Sequence, residues 1–329
     1  MRELLLLLCH YPFRSEYRNR LSELLSRVTD WDKTVGLINA HGIIALATYN
    51  IKEAGLDEKV PHDSMAFLVN GYMKSVIRNT WLTERWKEVN TILCNAGIQH
   101  IVLKGMALEN TLYESKGLRQ MSDNDILIKR DDSLKAWQLL QKEGFTPEPL
   151  KSPLFRKIIF ELGHHLPALY KDGYAVEIHD NLFNHDVTDD KSCIEVFSDA
   201  VKISIGNTKA LSLNKETQLS YLIDHFKHHA ASGDCQLRLY TDIILLDKNK
   251  SLMFPDRFIS DPMQGTKKEF RKAAYKTRIH SIAPKYRLRF ILGDTLPSLT
   301  WIKGRYRCGW FKAALIYPLR IGKLLWLIH

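Results

Sequence analysis

The sequence predicts an α+β fold, in which an α/β core carrying a mixed sheet is flanked by helical regions on its N- and C-terminal sides. Three observations point there. Residues 1 to about 95 repeat their apolar side chains at helical spacing. From Ile98 the apolar runs shorten to strand length and alternate with short helical stretches. From about residue 214 the helical period returns. These changes divide the chain into a helical region (1–95), an α/β core (96–206), a second helical region (207–266) and a basic, aromatic tail (267–329).

The elements follow in order. In the opening MRELLLLLCHYPF the apolar run is short, Glu3 stands where an export signal carries basic residues, and no small-residue cleavage site follows. It reads as the first turns of a buried helix. WDKTVGLINAHGIIALATYNIKEAG sets Val35, Ile38, Ile43, Leu46 and Ile51 at helical spacing and ends at Gly55. Residues 64–95 form a long amphipathic helix, stopped at Ala96-Gly97 with Gly97 as a left-handed cap. IQHIVLKG is a strand, MALENTLYESKG a short helix and DNDILIKR a second strand. SLKAWQLLQKEGF is a helix with Asp131 or Asp132 as N-cap and Gly144 beyond its end. LPALYKDGYAVEIHDNLF is a hairpin turning at Asp172-Gly173. Residues 214–250 are helical. In the tail, Pro284, Pro297 and Pro318 interrupt any long helix, which predicts an irregular segment.

Composition narrows the class. The chain of 329 residues is 45% hydrophobic and 26% charged, ordinary for a soluble globular protein. No uncharged run reaches the ~18 residues of a membrane span. The five cysteines are scattered, odd in number and never spaced CxxC. That argues against a disulfide framework and a zinc knuckle, and favours a reducing, cytoplasmic compartment. The net charge of +10 is uneven: residues 267–329 hold fifteen Lys and Arg against Glu269 and Asp294, and the preceding 266 residues sum to −3.

The segment IVLKGMALENTLYESKGLRQMSDNDILI carries the chemistry. Asp123 and Asp125 head a strand, where residues i and i+2 share a face about 6.5–7 Å apart. Asn124, Ile126 and Ile128 then face the core. Two carboxylates on one face repel unless a cation lies between them. A divalent metal pair meets that need, with nucleotidyl transfer as its usual chemistry, and Mg²⁺ suits so sparse an acid set. In AVEIHD, Val176 and Ile178 face the core, so Glu177 and His179 share the opposite face. Glu177 is the candidate third metal acid, or the acceptor of a hydroxyl proton. By themselves the residues leave a second reading open, with Asp123 as a turn residue and Asp125 as a strand-edge solubiliser. After IVLK, Gly105 lets backbone approach a ligand, and the next helix would aim its free N–H groups at phosphate. Lys104 and Arg119 add positive charge, Arg119 as a phosphate fork. A plain strand-to-helix turn is the alternative there.

Taken together, LKG (103–105), LRQMSDNDILI (118–128) and VEIH (176–179) resemble the uncharacterised nucleotidyltransferase family of the DNA polymerase β-type superfamily. The likeness extends over roughly 30–250, through Trp31 and His41 and through YLIDHFKHHAASGDCQLRLYTDIILL, with His225 and Asp242. The resemblance implies a minimal nucleotidyltransferase fold. It also implies two Mg²⁺ ions on Asp123, Asp125 and Glu177, Gly105 in the phosphate-contacting turn, and a nucleoside triphosphate as donor. The acceptor, whether small molecule, sugar, protein or RNA, stays open. Two departures stand out. Met106 follows Gly105 where the superfamily usually has serine, and the spacing from Gly105 to Asp123 leaves room for an extra loop.

Other patterns carry less. His225, His228 and His229 could share a helix face, but no metal-site spacing accompanies them, and a structural bond from His225 to Asp242 is the preferred reading. EIHDNLFNHD is a kinase-like loop in composition only, since Asn184 falls at the wrong spacing. The tail mixes Lys and Arg with Trp301, Trp310 and Trp326. Its residues 285–329 suit packing on the main domain, peripheral contact with an anionic membrane, or nucleic-acid binding. An alternative to the enzyme is thus a nucleotidyltransferase-like binding protein without turnover, docking through this tail.

Overall fold

The computed structural model describes all residues except 163–164, 183–194, 248–252, 265–274, 277–278, 281 and 329. It also leaves aside the side chains of 161–162, 317, 320–321 and 323–328. The chain divides into two units, Met1–Ile126 with Ile194–Gln264, and Leu127–Cys193 with Gly265–His329. The division falls inside one strand, β2.

The first unit begins with five helices, α1 (Arg2–Leu8), α2 (Arg18–Ser26), α3 (Trp31–Ala40), α4 (Ile44–Glu53) and α5 (His62–Asn95). The opening apolar run is indeed buried, through Leu4, Leu5 and Leu8. The helix expected to run to Gly55 is two helices. Asp30 caps α3 by accepting from the Lys33 N–H, and Gly42, at φ +67°, turns the chain before α4. Gly97, at φ +69°, follows α5 in the left-handed conformation predicted for it. Next come β1 (His100–Val102), α6 (Lys104–Leu112) and the start of β2 (Asn124–Ile128). The unit closes with the hairpin β6 (Val201–Ile205) and β7 (Thr208–Ser212), then α9 (Lys215–Ser232) and α10 (Leu237–Leu246). Gly233, at φ +80°, separates these last two helices. The β6–β7 hairpin puts sheet residues on both sides of position 206. One apolar core runs from Leu4 and Leu8 through Ile38, Ile43 and Leu68 to Leu108, Phe226, Leu237 and Phe258.

The second unit carries the end of β2, then α7 (Arg130–Lys142), β3 (Thr146–Pro147), α8 (Phe155–Leu162), β4 (Leu169–Lys171) and β5 (Tyr174–His179). The β4–β5 hairpin turns at Asp172 and Gly173 with φ +51° and +80°, the two left-handed residues of a tight hairpin turn. Neither Asp131 nor Asp132 caps α7. Lys129 holds the cap position, and both acids lie in the first turn, where they complement the helix dipole. The tail is not irregular: it forms α11 (Pro284–Thr295), α12 (Leu299–Tyr306) and α13 (Trp310–Ile328). Its prolines punctuate rather than prevent helices. Pro284 sits in the first turn of α11, where its missing N–H costs nothing, Pro297 lies between helices, and Pro318 is accommodated inside α13.

The sheet has seven strands in the order β3-β4-β5-β2-β1-β7-β6. β1 and β7 run parallel, and the β3–β4, β4–β5 and β6–β7 pairs are antiparallel, which makes the sheet mixed. With helices before, between and after its strands, this is the α+β class the sequence predicts.

Candidate functional site

In the first unit the site is built where β1 passes into α6 beside β2. The Leu103 N–H donates to the Asp125 carbonyl at 2.9 Å, tying the end of β1 to the head of β2. Lys104 takes φ +44°, a left-handed conformation uncommon for a side chain of its kind. Its Nζ donates to Asp125 Oδ1 at 2.8 Å, and both side chains are largely buried. Gly105 is needed for a reason the sequence did not give. A Cβ there would lie 2.6 Å from Arg119 Nη1 and 2.8 Å from Met121 Cγ, so the protein's own side chains occupy the space beside it.

Every residue of β2 is buried, so both faces of the strand are covered. Asp123 precedes the strand and is half-buried. Burial, and after it the charge of Asp125, pushes its carboxyl above the ordinary carboxylate range, against the opposing pull of Lys104 and Arg238. The charge of Asp125 thus reaches Asp123.

The extra loop between α6 and β2 is pinned to α5. Ser75 Oγ donates to the Gly117 carbonyl at 2.6 Å, Asn79 Nδ2 to the Arg119 carbonyl at 2.8 Å and Arg78 Nη2 to the Ser122 carbonyl at 2.6 Å. Gly117 has φ +84°, and a Cβ there would meet the Val76 backbone at 2.7 Å. The loop thus delivers Arg119 and Asp123 to fixed places. Arg119, the expected phosphate fork, is engaged by Asp242 instead: Nη2 donates to Oδ2 at 2.8 Å and Nε to Oδ2 at 3.0 Å. The Tyr113 hydroxyl donates to Asp242 Oδ1 at 2.9 Å. Asp242 therefore serves Arg119 and Tyr113 where a bond to His225 was expected. His225 itself lies 4.4 Å from the His229 ring, centroid to centroid.

Arg238 is the residue sequence reasoning missed. Its Nη1 donates to the Gln120 carbonyl at 2.7 Å and its Nη2 to Gln236 Oε1 at 3.0 Å. Burial and the neighbouring Arg119 charge depress its pKa to about 10. Its field also reaches Asp123. Its position one residue into α10, in the motif-bearing segment CQLRLYTD, was the only available signal.

In the second unit, Tyr174, Val176 and Ile178 turn one face of β5 into the core, as predicted. Glu177 is half-buried and His179 buried, with His179 Nε2 3.9 Å from Glu177 Oε2. Asp180 follows them, and burial pushes its carboxyl up, with Arg130 opposing. Asn184 lies outside the described residues. Asp123 and Asp125 fall in the first unit, Glu177 and His179 in the second.

A family model described as an uncharacterised nucleotidyltransferase matches residues 27–275. The chain belongs to this nucleotidyltransferase family. The match takes in α3 to α10 and all seven strands, so the sheet, the β1–α6 turn and the Arg119–Asp242 pair all lie within the nucleotidyltransferase region. α11, α12 and α13 lie beyond it. No curated protein and no solved structure matches the chain. Membership supports a general nucleotidyltransferase role. No helix among the described residues is long and apolar enough to cross a membrane.

Proposed function

We propose that this nucleotidyltransferase moves a nucleoside monophosphate from a nucleoside triphosphate to an acceptor hydroxyl, with Mg²⁺ bound by Asp123, Asp125 and Glu177. One observation carries the reading: two acids stand at the head of a buried strand, and burial together with the charge of Asp125 pushes the Asp123 carboxyl above its ordinary range. The donors are mainly hard carboxylate oxygens, which suit Mg²⁺. Burial and the charge of Asp125 destabilise the Asp123 carboxylate, and a divalent cation would relieve that repulsion. When bound, the metal supplies charge neutralisation for the phosphates and for the attacking and leaving oxygens.

The chain's own residues do the rest. The free N–H groups at the start of α6 and the Lys104 ammonium receive the triphosphate. Lys104 neutralises Asp125, and its ammonium would be free to turn to phosphate if that carboxylate held a metal ion. Arg119 acts through Asp242 by holding the loop that carries Asp123 in place, while Arg238 adds positive charge nearby. Glu177, half-buried and beside His179, takes the proton of the acceptor hydroxyl as its oxygen attacks the α-phosphorus. The bond from that phosphorus to the bridging oxygen breaks, and pyrophosphate leaves.

A second reading is a binding protein without turnover. It is favoured by the filled space at Gly105 and by the ion pair that already satisfies Asp125. The experiment that separates them uses nucleoside triphosphates labelled at the α-phosphate, incubated with Mg²⁺ and a pool of small-molecule and macromolecular acceptors. Wild type transfers label and releases pyrophosphate. Asp123→Asn keeps its circular dichroism spectrum and transfers none. Full transfer by Asp123→Asn contradicts the assignment.

A further inference from the structure

The three helices that follow the nucleotidyltransferase region bury one side and leave another bare. Phe290 of α11, Ile302 of α12 and Ala313 of α13 are buried. On α13, Phe311, Leu315 and Leu319 follow each other at four-residue spacing and are 81%, 59% and 69% exposed, beside Trp310 at 58%. Leu288 and Leu292 of α11, and Leu296 just after its last residue, repeat the same spacing at 68%, 42% and 49% exposure. Scattered exposed leucines are ordinary, but two stripes on neighbouring elements of one segment are not. Lys285, Arg289, Arg305, Arg307 and Lys312 of the same segment are exposed as well. From Thr295 to His329 the sequence contains no Asp or Glu.

We propose that α11 to α13 dock on an anionic lipid bilayer, lying in its interface. The chemistry matches on both counts. Aromatic and leucine side chains enter the boundary between headgroups and acyl chains, and the surrounding Lys and Arg are drawn to negatively charged headgroups. A second copy of the chain fits less well, because each tail would bring the same uncompensated positive charge to the other. A nucleic acid would account for the basic residues but would leave the leucine stripes exposed. The proposal places the segment on the surface, and no helix among the described residues is long and apolar enough to cross a membrane. The inference stands apart from the reaction, since the residues it uses lie outside the nucleotidyltransferase match.

The test is sedimentation of the full chain with vesicles of phosphatidylcholine alone and of phosphatidylcholine with phosphatidylserine, at about 0.1 M salt. Wild type sediments with the anionic vesicles and stays in solution with the neutral ones. Phe311→Ser with Leu315→Ser weakens partitioning about tenfold or more, because two large apolar side chains no longer enter the lipid. Arg305→Glu with Arg307→Glu weakens it as well, and added salt weakens wild type. All four positions are exposed, so unchanged circular dichroism is expected of both variants. Several results overturn the proposal: wild type that ignores anionic vesicles, or a Phe311/Leu315 variant that binds them equally well. It also fails if light scattering shows a dimer that the Phe311/Leu315 variant converts to monomer, because the stripe then belongs to a second copy. Tight binding of a nucleic-acid fragment, lost in the arginine variant while vesicle binding is unaffected, overturns it too.

Discussion

Replacing Asp242 with Asn removes the one buried carboxylate bonded to Arg119. The change keeps the side chain's shape and an oxygen that still accepts from Tyr113, so the loss is mainly of charge. Arg119 is only 6% exposed and Asp242 fully buried, so solvent cannot stand in for the missing partner. Arg238, whose own pKa the Arg119 charge already depresses, sits alongside. Two neighbouring guanidinium groups would then face each other with the buried counter-charge gone. Breaking one partner of a buried ion pair costs about 3–5 kcal/mol. That is a large share of the ~5–15 kcal/mol that holds a domain folded. Urea denaturation followed by tryptophan fluorescence measures it, provided that the denaturant slope is unchanged. Arg119→Met combined with Asp242→Leu should recover most of the loss, because removing both charges leaves none uncompensated. A loss below about 1 kcal/mol for Asp242→Asn would refute the reasoning, since that is the scale of a solvent-exposed pair.

Three further outcomes follow from the packing. Gly105→Ala forces a Cβ to within 2.6 Å of Arg119 and 2.8 Å of Met121, so it should cost about 1–3 kcal/mol in the same assay, whereas an unchanged midpoint would mean that the turn is loosely packed. Gly173→Ala places a side chain at φ +80° in the β4–β5 turn and should cost about 1 kcal/mol, read from the thermal midpoint. His41 is buried between the Ile259 carbonyl at 3.0 Å and the Leu237 N–H at 3.4 Å, and burial lowers its pKa. The unfolded chain therefore binds its proton more readily than the folded one. The stability that His41 supports is present above its ordinary pKa of about 6.5 and is lost as pH falls from there through the folded value. The gap in urea midpoint between wild type and His41→Gln should narrow over that interval, and a gap independent of pH would contradict it.

Much of this architecture was legible because local chemistry and tertiary structure agree. Asp172-Gly173 specifies its own turn, Gly97 its own cap, and the alternation of Val176 and Ile178 the buried face of β5. The start of β2 could be read as well, from the apolar run that follows Asp125. Other features were hidden because they depend on residues far apart in sequence. The partner of Arg119 is 123 positions away, and nothing near Asp242 favours that arginine over His225. Arg238 reaches Gln120 across 118 positions. The prolines of the tail misled because each is harmless where it falls, in a first turn, in a linker, or inside a helix that absorbs it. Gly105 read as a place for a ligand to approach, yet Arg119 and Met121 fill that space.

Asp125 and its neighbours are proposed to bind a nucleoside triphosphate through a divalent cation. The most direct test is calorimetric titration of non-hydrolysable ATP and GTP analogues into wild type and Asp125→Asn, with and without Mg²⁺. Binding to wild type is expected to require Mg²⁺ and to be lost in the variant. Binding of equal strength to both proteins, or binding that ignores Mg²⁺, would contradict it.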